Sequence, residues 1–553
     1  MEAAPGKPSL ASIPPELIHE TISYFGCTSD VAHLALVCSS LNTIVSPILY
    51  RTVIVGIEPV QGVTRKYSNS LLRLRSPRQQ KNMTFVRTFG VIGKLRSGKN
   101  PIVRAIVEYT LLYIRSILDT IDKDLLTSFI WDTDMILSNE TQRSLLAKQR
   151  NITSLTICQY KQSASHEPTF GPPDPFSLDR PINWDIFGIG PLNKLHVEGI
   201  GTPAMLQAII SAIEKNSKTL VHLGLGFHYR RDNSFNDVNN VSDAGTITGT
   251  GVAQFPALSS LQIRGVGPWD NFISQLKLDV LGCESWQGVE RLVLEHNGPV
   301  GCYLEALKAH TMRPASLNLT LADTASLPKL RDYFDNCDGL VEVCIRLKGP
   351  LAEDGSFGMK FAKTSKTLKR LFLGWTNGGT YFHSSQEDLK ALSELEALEE
   401  LAIAYEGPVL FHETKFPALK LLWLLDINQT LACQIPTRAS RLTSDTGMIN
   451  VTQIRDRYFP RSILPPNLRI IAFGQYFLDF NSARPAVITA VYNCAAPWPL
   501  FWPSVTMERL DRPTFERYYK GFQLFQMREG RYFRDLQFRP KIKEGPRDEG
   551  AVL

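Results

Sequence analysis

An α/β fold is what the sequence predicts: a short three-helix module at the N-terminus, followed by parallel strands alternating with helices. Three observations carry this. The first fifty residues hold three short segments whose apolar residues recur at helical spacing. Through the long middle, an apolar-x-x-apolar-x-apolar pattern returns at steps of about 25 to 30 residues, a period typical of repeat architectures. Between several of these patterns lie stretches with helical periodicity, such as MLQAIISAIEKNSKTL and QEDLKALSELEAL.

The N-terminal module comes first. Residues 1–11 are small, polar and Pro-containing, and read as a disordered lead-in. In SIPPELIHETISYFG, Ser12 is placed to cap, the prolines suit a helix entry, and Leu17, Ile18, Ile22 and Phe25 share one face before Gly26 stops the helix. A second helix is predicted from Ser29 or Asp30, with Val31, Leu34, Val37, Cys38 and Leu41 on one stripe. A third is predicted to start at Pro47, in PILYRTV. Three helices in about 40 residues bury too little surface to stand alone, so such a module completes its core against a partner or the next domain.

Specific residues at these spacings resemble the F-box. The run Ile13-Pro14-Pro15-Glu16-Leu17 is similar to its Leu-Pro-x-Glu start, Leu34 with Leu36-Val37-Cys38 to its Leu-x-x-Val-Cys middle, and Leu49-Tyr50-Arg51 to its Leu-Tyr end. The Leu-Tyr-Arg-Thr-Val finish looks like the variant common in mushroom-type fungi. Where many F-boxes carry Trp shortly after Val-Cys, this chain has Leu41. The resemblance implies that residues 12–51 dock an SKP-family adaptor, which links them to a cullin-RING ubiquitin ligase. It further implies that Ile13, Pro14, Glu16, Leu17 and Ile18 meet the adaptor, with Leu34, Val37 and Cys38 behind them.

The repeated pattern appears at Ile152-Leu155-Ile157, Leu192-Leu195-Val197, Leu220-Leu223-Leu225, Leu258-Leu261-Ile263, Val289-Leu292-Leu294, Leu340-Val343-Ile345, Leu368-Leu371-Leu373, Leu398-Leu401-Ile403, Leu419-Leu422-Leu424 and Leu468-Ile471-Phe473. Weaker copies stand at Val86-Phe89-Val91, Leu126-Phe129-Trp131 and around Leu317-Leu319. One strand and one helix per repeat over residues 52–480 resembles an irregular leucine-rich-repeat solenoid, without a regular Asn or Cys after the third apolar position. Loop-like insertions near 160–184, 228–256 and 428–466 are the candidate contacts for a target protein. The aromatic and basic region 481–540 is expected to cap the array, with base stacking or capture of an acidic segment as other uses for it, and 541–553 reads as a tail.

Catalytic chemistry is nearly absent from the sequence. GKLRSGKN, Gly93 to Asn100, approaches a phosphate-binding loop, but Asn100 replaces the hydroxyl that would bind magnesium and Pro101 removes a backbone donor. His19, Cys27, His33 and Cys38 lie close together without the spacing of metal ligands. No GxSxG, HExxH or flanked catalytic Cys occurs. The expectation is therefore a non-catalytic chain with no cofactor and no metal. The expected function is substrate receptor of a ubiquitin ligase; the rivals are an interaction scaffold whose helices only cap the array, and a nucleotide switch using Gly93–Asn100.

With 553 residues, the chain exceeds the size of a single core. Its formal charge of +6 is spread among interleaved acids and bases, which gives no strong case for nucleic acid. Nine cysteines without CxxC pairs, mostly beside apolar residues, read as buried thiols in a reducing compartment. There is no secretory pattern and no run approaching the ~20 apolar residues of a membrane span. Residence in the cytoplasm or nucleus, with no membrane partner, is expected.

Overall fold

A computed structural model of the chain describes, in a first compact unit ending at Asn216, residues 13–23, 28–56, 81–93, 101–159 apart from 134 and 136, 184–200 and 203–216. In a second unit beginning at Ser217 it describes 217–227, 255–265, 288–296, 304–308 apart from 306, 313–321, 326–347, 364–375, 386–403, 416–424, 467–473 apart from 469, 490–493 and 508–509. The fold is α/β, with parallel strands alternating with helices.

The first unit opens with α1 (Pro15–Ser23), α2 (Thr28–Ala35) and α3 (Ser39–Leu49). Pro15 occupies the first helical position, where a missing N–H costs nothing, and the Pro14 carbonyl accepts from the N–H groups of Leu17 and Ile18. Two predicted boundaries are corrected. The stripe from Val31 to Leu41 is split between α2 and α3 by a turn at residues 36–38, and Pro47 lies inside α3 rather than at the start of a third helix. A proline so close to the C-terminal end removes only one late helical bond, and the Tyr50 N–H closes the helix on Ser46. Ser12 and Gly26 lie outside the described residues.

Five parallel strands follow in chain order: β1 (Thr52–Gly56), β2 (Thr88–Gly93), β3 (Ser128–Thr133), β4 (Ser154–Gln159) and β5 (Lys194–Ile200). The helices α4 (Pro101–Thr120) and α5 (Asn139–Lys148) lie between strands, and α6 (Pro203–Asn216) ends the unit. Ser138 caps α5 by accepting from the Thr141 N–H at 3.2 Å. The register places like positions of the repeat side by side, Phe89 with Phe129, Leu155 and Leu195, and Val91 with Trp131, Ile157 and Val197. All of these are fully buried, and the Phe89 and Phe129 rings stack at 6.4 Å.

Two side-chain amides tie helix ends to strand entries. Gln149, just past α5, accepts from the Leu126 N–H at 3.0 Å and donates to the Asp122 carbonyl at 2.9 Å. Asn216, the last residue of α6, accepts from the Leu192 N–H at 2.8 Å and donates to the Ala212 carbonyl at 2.7 Å. Leu126 and Leu192 are the leading apolar residues of their repeats. A buried N–H left by the turn is thus satisfied by a buried amide supplied from a helix, rather than by an Asn in the repeat itself.

The second unit continues in the same manner. Its strands are β6 (His222–Phe227), β7 (Ser260–Gly265), β8 (Arg291–His296), β9 (Ser316–Leu321), β10 (Glu342–Leu347), β11 (Arg370–Trp375), β12 (Glu400–Ile403), β13 (Leu421–Leu424) and β14 (Ile470–Phe473), each parallel to the next. The helices α7 (Leu327–Asn336) and α8 (Gln386–Ser393) precede β10 and β12. The parallel order ends at β14, against which β15 (Ala490–Asn493) runs antiparallel, followed by β16 (Glu508–Arg509), again antiparallel. Every repeat of the pattern read from sequence, the weaker three included, falls on a strand. The long intervals 160–183, 228–254 and 425–466 and the segment 510–553 lie outside the described residues.

Neighbouring repeats of the first unit approach closely. A Cβ at Gly190 would stand 2.8 Å from the Arg150 carbonyl oxygen, a backbone atom fixed by the preceding turn. Gly190→Ala is expected to cost about 1 to 3 kcal/mol, seen as a lower urea midpoint.

Candidate functional site

The N-terminal helices place the eight residues singled out from sequence in three environments. Ile18 is buried, sharing a small core with Ile22, Val31, Ala35, Leu41 and Val45. Ile13, Leu34 and Cys38 are half-buried and pack against that core. Pro14, Glu16, Leu17 and Val37 face outward; Leu17 is 52% exposed and Val37 57%, and Leu36 beside it is exposed too. The assignment of Val37 to the same stripe as Val31 and Leu41 is thereby corrected, because the turn between α2 and α3 rotates it out. Leu41, which stands where the resemblance expects Trp, is buried within the module. The module thus displays three large aliphatic side chains, Leu17, Leu36 and Val37, outside its own core.

His19 and His33 are exposed, Cys38 packs against the core, and Cys27 lies outside the described residues, so these four residues form no described metal site. Gly93 ends β2 with φ 134°, a conformation that favours glycine, and α4 begins at Pro101; residues 94–100, the rest of the phosphate-loop resemblance, lie outside the described residues.

Sequence reasoning did not find the polar side chains on the sheet face opposite the repeat leucines. Strand residues alternate between faces, so Arg264, Glu295, Thr320 and Arg346 share that face in the second unit, as do Glu342, Arg370 and Glu400. Arg264 and Arg346 both reach Glu295 at 2.9 Å, Arg346 passing over the small Thr320 on the intervening strand. Arg370 joins Glu342 on one side and Glu400, at 3.2 Å, on the other. Burial opposes the charge on Arg346, but the adjacent Cys344 and Glu295 more than offset it and hold the guanidinium above its ordinary pKa. Between these rows runs a buried one, Val293, Asn318, Cys344, Phe372, Ala402 and Trp423, in which the Phe372 and Trp423 rings meet edge-on at 6.0 Å across Ala402.

In the first unit the corresponding face holds Cys158 on β4 with His196 and Glu198 on β5. Their ligand atoms all lie within 4.8 Å of one another, and His196 Nε2 stands 2.9 Å from Glu198 Oε1. The signal was present in the repeat pattern: Cys158 and Glu198 each directly follow the third apolar residue of their repeats, so aligning the repeats pairs them. None of the four described cysteines, 38, 158, 337 and 344, is in a disulfide.

No family model and no curated protein matches this chain. Among the described residues no helix is long and apolar enough to cross a membrane.

Two outcomes follow. Arg370→Met leaves Glu342 and Glu400 facing each other without their shared cation, and is expected to cost about 3 to 5 kcal/mol, measured by chemical denaturation. Beyond α7, burial raises the Cys337 thiol pKa, and burial with the nearby Cys337 sulfur raises that of Tyr333 as well. As pH climbs past the ordinary thiol range, the unfolded chain loses protons that the folded chain retains. Stability contributed by this pair is therefore full below that range and falls as pH rises through it. Thermal melts between neutral and alkaline pH should decline less in Cys337→Ala than in the native protein, and native Cys337 should resist alkylation until unfolding.

Proposed function

We propose that residues 12–51 are an F-box that docks an SKP-family adaptor. On this reading the chain is the non-catalytic substrate-recognition subunit of an SCF-type cullin-RING ubiquitin ligase, working in the cytoplasm or nucleus. Its strands and helices then constitute an irregular leucine-rich-repeat solenoid that holds a target protein.

The observation that carries this reading is the division of labour within the three helices. Ile18, Ile22, Val31, Ala35, Leu41 and Val45 form the internal core, whereas Leu17 and Val37, two residues of the F-box-like pattern, are left facing outward. An outward pair of this kind gives an adaptor an apolar anchor whose burial yields binding energy without unfolding the module. Glu16 and Pro14, also exposed, would border that anchor. In the array, uniform register with one strand per repeat supports the solenoid reading. Catalysis in such a complex belongs to the recruited partners.

One observation favours a second reading, a scaffold in which the helices only cap the array. α3 passes into β1 through two residues, and the Arg51 carbonyl accepts from the N–H groups of Arg87 and Thr88, so the module is joined directly to the sheet.

Co-expression with a fungal SKP-family adaptor followed by size-exclusion chromatography separates the two readings. A stable complex lost on deleting residues 1–51 supports the ligase receptor, and two independent peaks support the scaffold. Leu17→Asp with Val37→Asp should weaken adaptor binding by at least about 30-fold, or ~2 kcal/mol, while leaving the circular dichroism spectrum unchanged because both positions are exposed. Adaptor binding that survives this double substitution would move the contact elsewhere.

A further inference from the structure

We propose that Cys158, His196 and Glu198 form a zinc-binding site in the first unit, separate from the adaptor-docking surface. The three residues come from adjacent parallel strands. Cys158 is the register partner of Glu198, and His196 lies two residues before Glu198, so all three side chains stand on one face of the sheet. The intervening residues Leu155, Ile157, Leu195 and Val197 are fully buried on the opposite face and fix the backbone that carries the ligands. Glu198 is 0% exposed and Cys158 3%, so the cluster is a built interior site rather than a chance meeting of surface groups.

The donor set selects the metal. Sulfur, imidazole nitrogen and carboxylate oxygen together are the ligands of zinc, whereas a thiolate disfavours magnesium and calcium. Zinc bonds of about 2.0 to 2.3 Å set neighbouring ligand atoms roughly 3.5 Å apart. The three donors here all lie within 4.8 Å of one another, close to that spacing. On binding, the Cys158 thiol gives its proton to solvent and His196 coordinates as the neutral imidazole. One thiolate and one carboxylate then cancel the charge of the dication, so the buried complex carries no net charge. Three protein ligands leave a fourth tetrahedral position for water. Asp132, the register partner of Cys158 on β3, is the next carboxylate in the row.

The test is cobalt(II) titration of the full chain after treatment with EDTA, with zinc as competitor. Saturable uptake with a thiolate-to-cobalt charge-transfer band, displaced by zinc, is expected. Cys158→Ser should abolish the band, and His196→Ala and Glu198→Gln should each weaken zinc binding by more than about tenfold. Circular dichroism of the metal-free variants checks that they fold. Should one of them fail to fold, His196→Gln, at a partly exposed position, supplies the loss of zinc affinity as the readout. No cobalt uptake by the native chain, or a band that persists in Cys158→Ser, overturns the proposal; either result leaves adaptor docking unaffected.

Discussion

One backbone device holds the repeats in step. At the entry to most strands, a single carbonyl of one repeat accepts two consecutive N–H groups from the next. Arg51 receives Arg87 and Thr88, Arg87 receives Thr127 and Ser128, and Thr127 receives Thr153 and Ser154. In the second unit Val221, Ser259, Ala315, Val341, Lys369 and Glu399 do the same for their successors. A one-residue slip at any of these points would turn a leucine row out of the core and a charged row into it. Because the contact uses main-chain atoms only, it tolerates widely different side chains and intervals of very unequal length between strands.

A parallel sheet pinned in this way has two faces to satisfy. One carries the repeat leucines. In the second unit the other is also largely buried, and it is built from alternating charge rather than from a second apolar layer alone. Arg346 over Thr320 to Glu295, and Arg370 between two glutamates, show how buried charge is accepted when each group finds an opposite partner at fixed register. The row Val293, Asn318, Cys344, Phe372, Ala402 and Trp423 between them shows the same logic in volume, with small Ala402 making room for the rings on either side. In the first unit this face gathers Cys158, His196 and Glu198, three donors that metal coordination can join.

The N-terminal helices follow a different constraint. Six buried aliphatic residues form the centre of their core, too few for much independent stability, and α3 is continued directly by β1. Anchoring at one end by the sheet lets the module keep Leu17, Leu36 and Val37 on its surface without losing its own packing. That combination of tethered core and displayed apolar residues is the physical basis for reading the module as a docking element.

The sequence by itself determined β2 to β14 and most of the helices, because apolar periodicity is a local property of the backbone: every Leu-x-x-Leu-x-Leu copy, even Val86-Phe89-Val91, lies on a strand. By contrast, β1, β15 and β16 carry no such copy, and β1 begins where the third helical segment is expected to continue. It also located the three-helix module, though not its internal boundaries, since the turn at residues 36–38 and the place of Pro47 depend on how the helices pack. Only the tertiary structure decided which apolar residues of that module are core and which are surface; Leu17 and Ile18 are neighbours of similar chemistry with opposite fates. It alone brought Cys158 to His196 and Glu198, and Arg370 to both Glu342 and Glu400. Parallel register joins residues far apart in the chain, and no spacing rule along one segment records which strand will lie beside which.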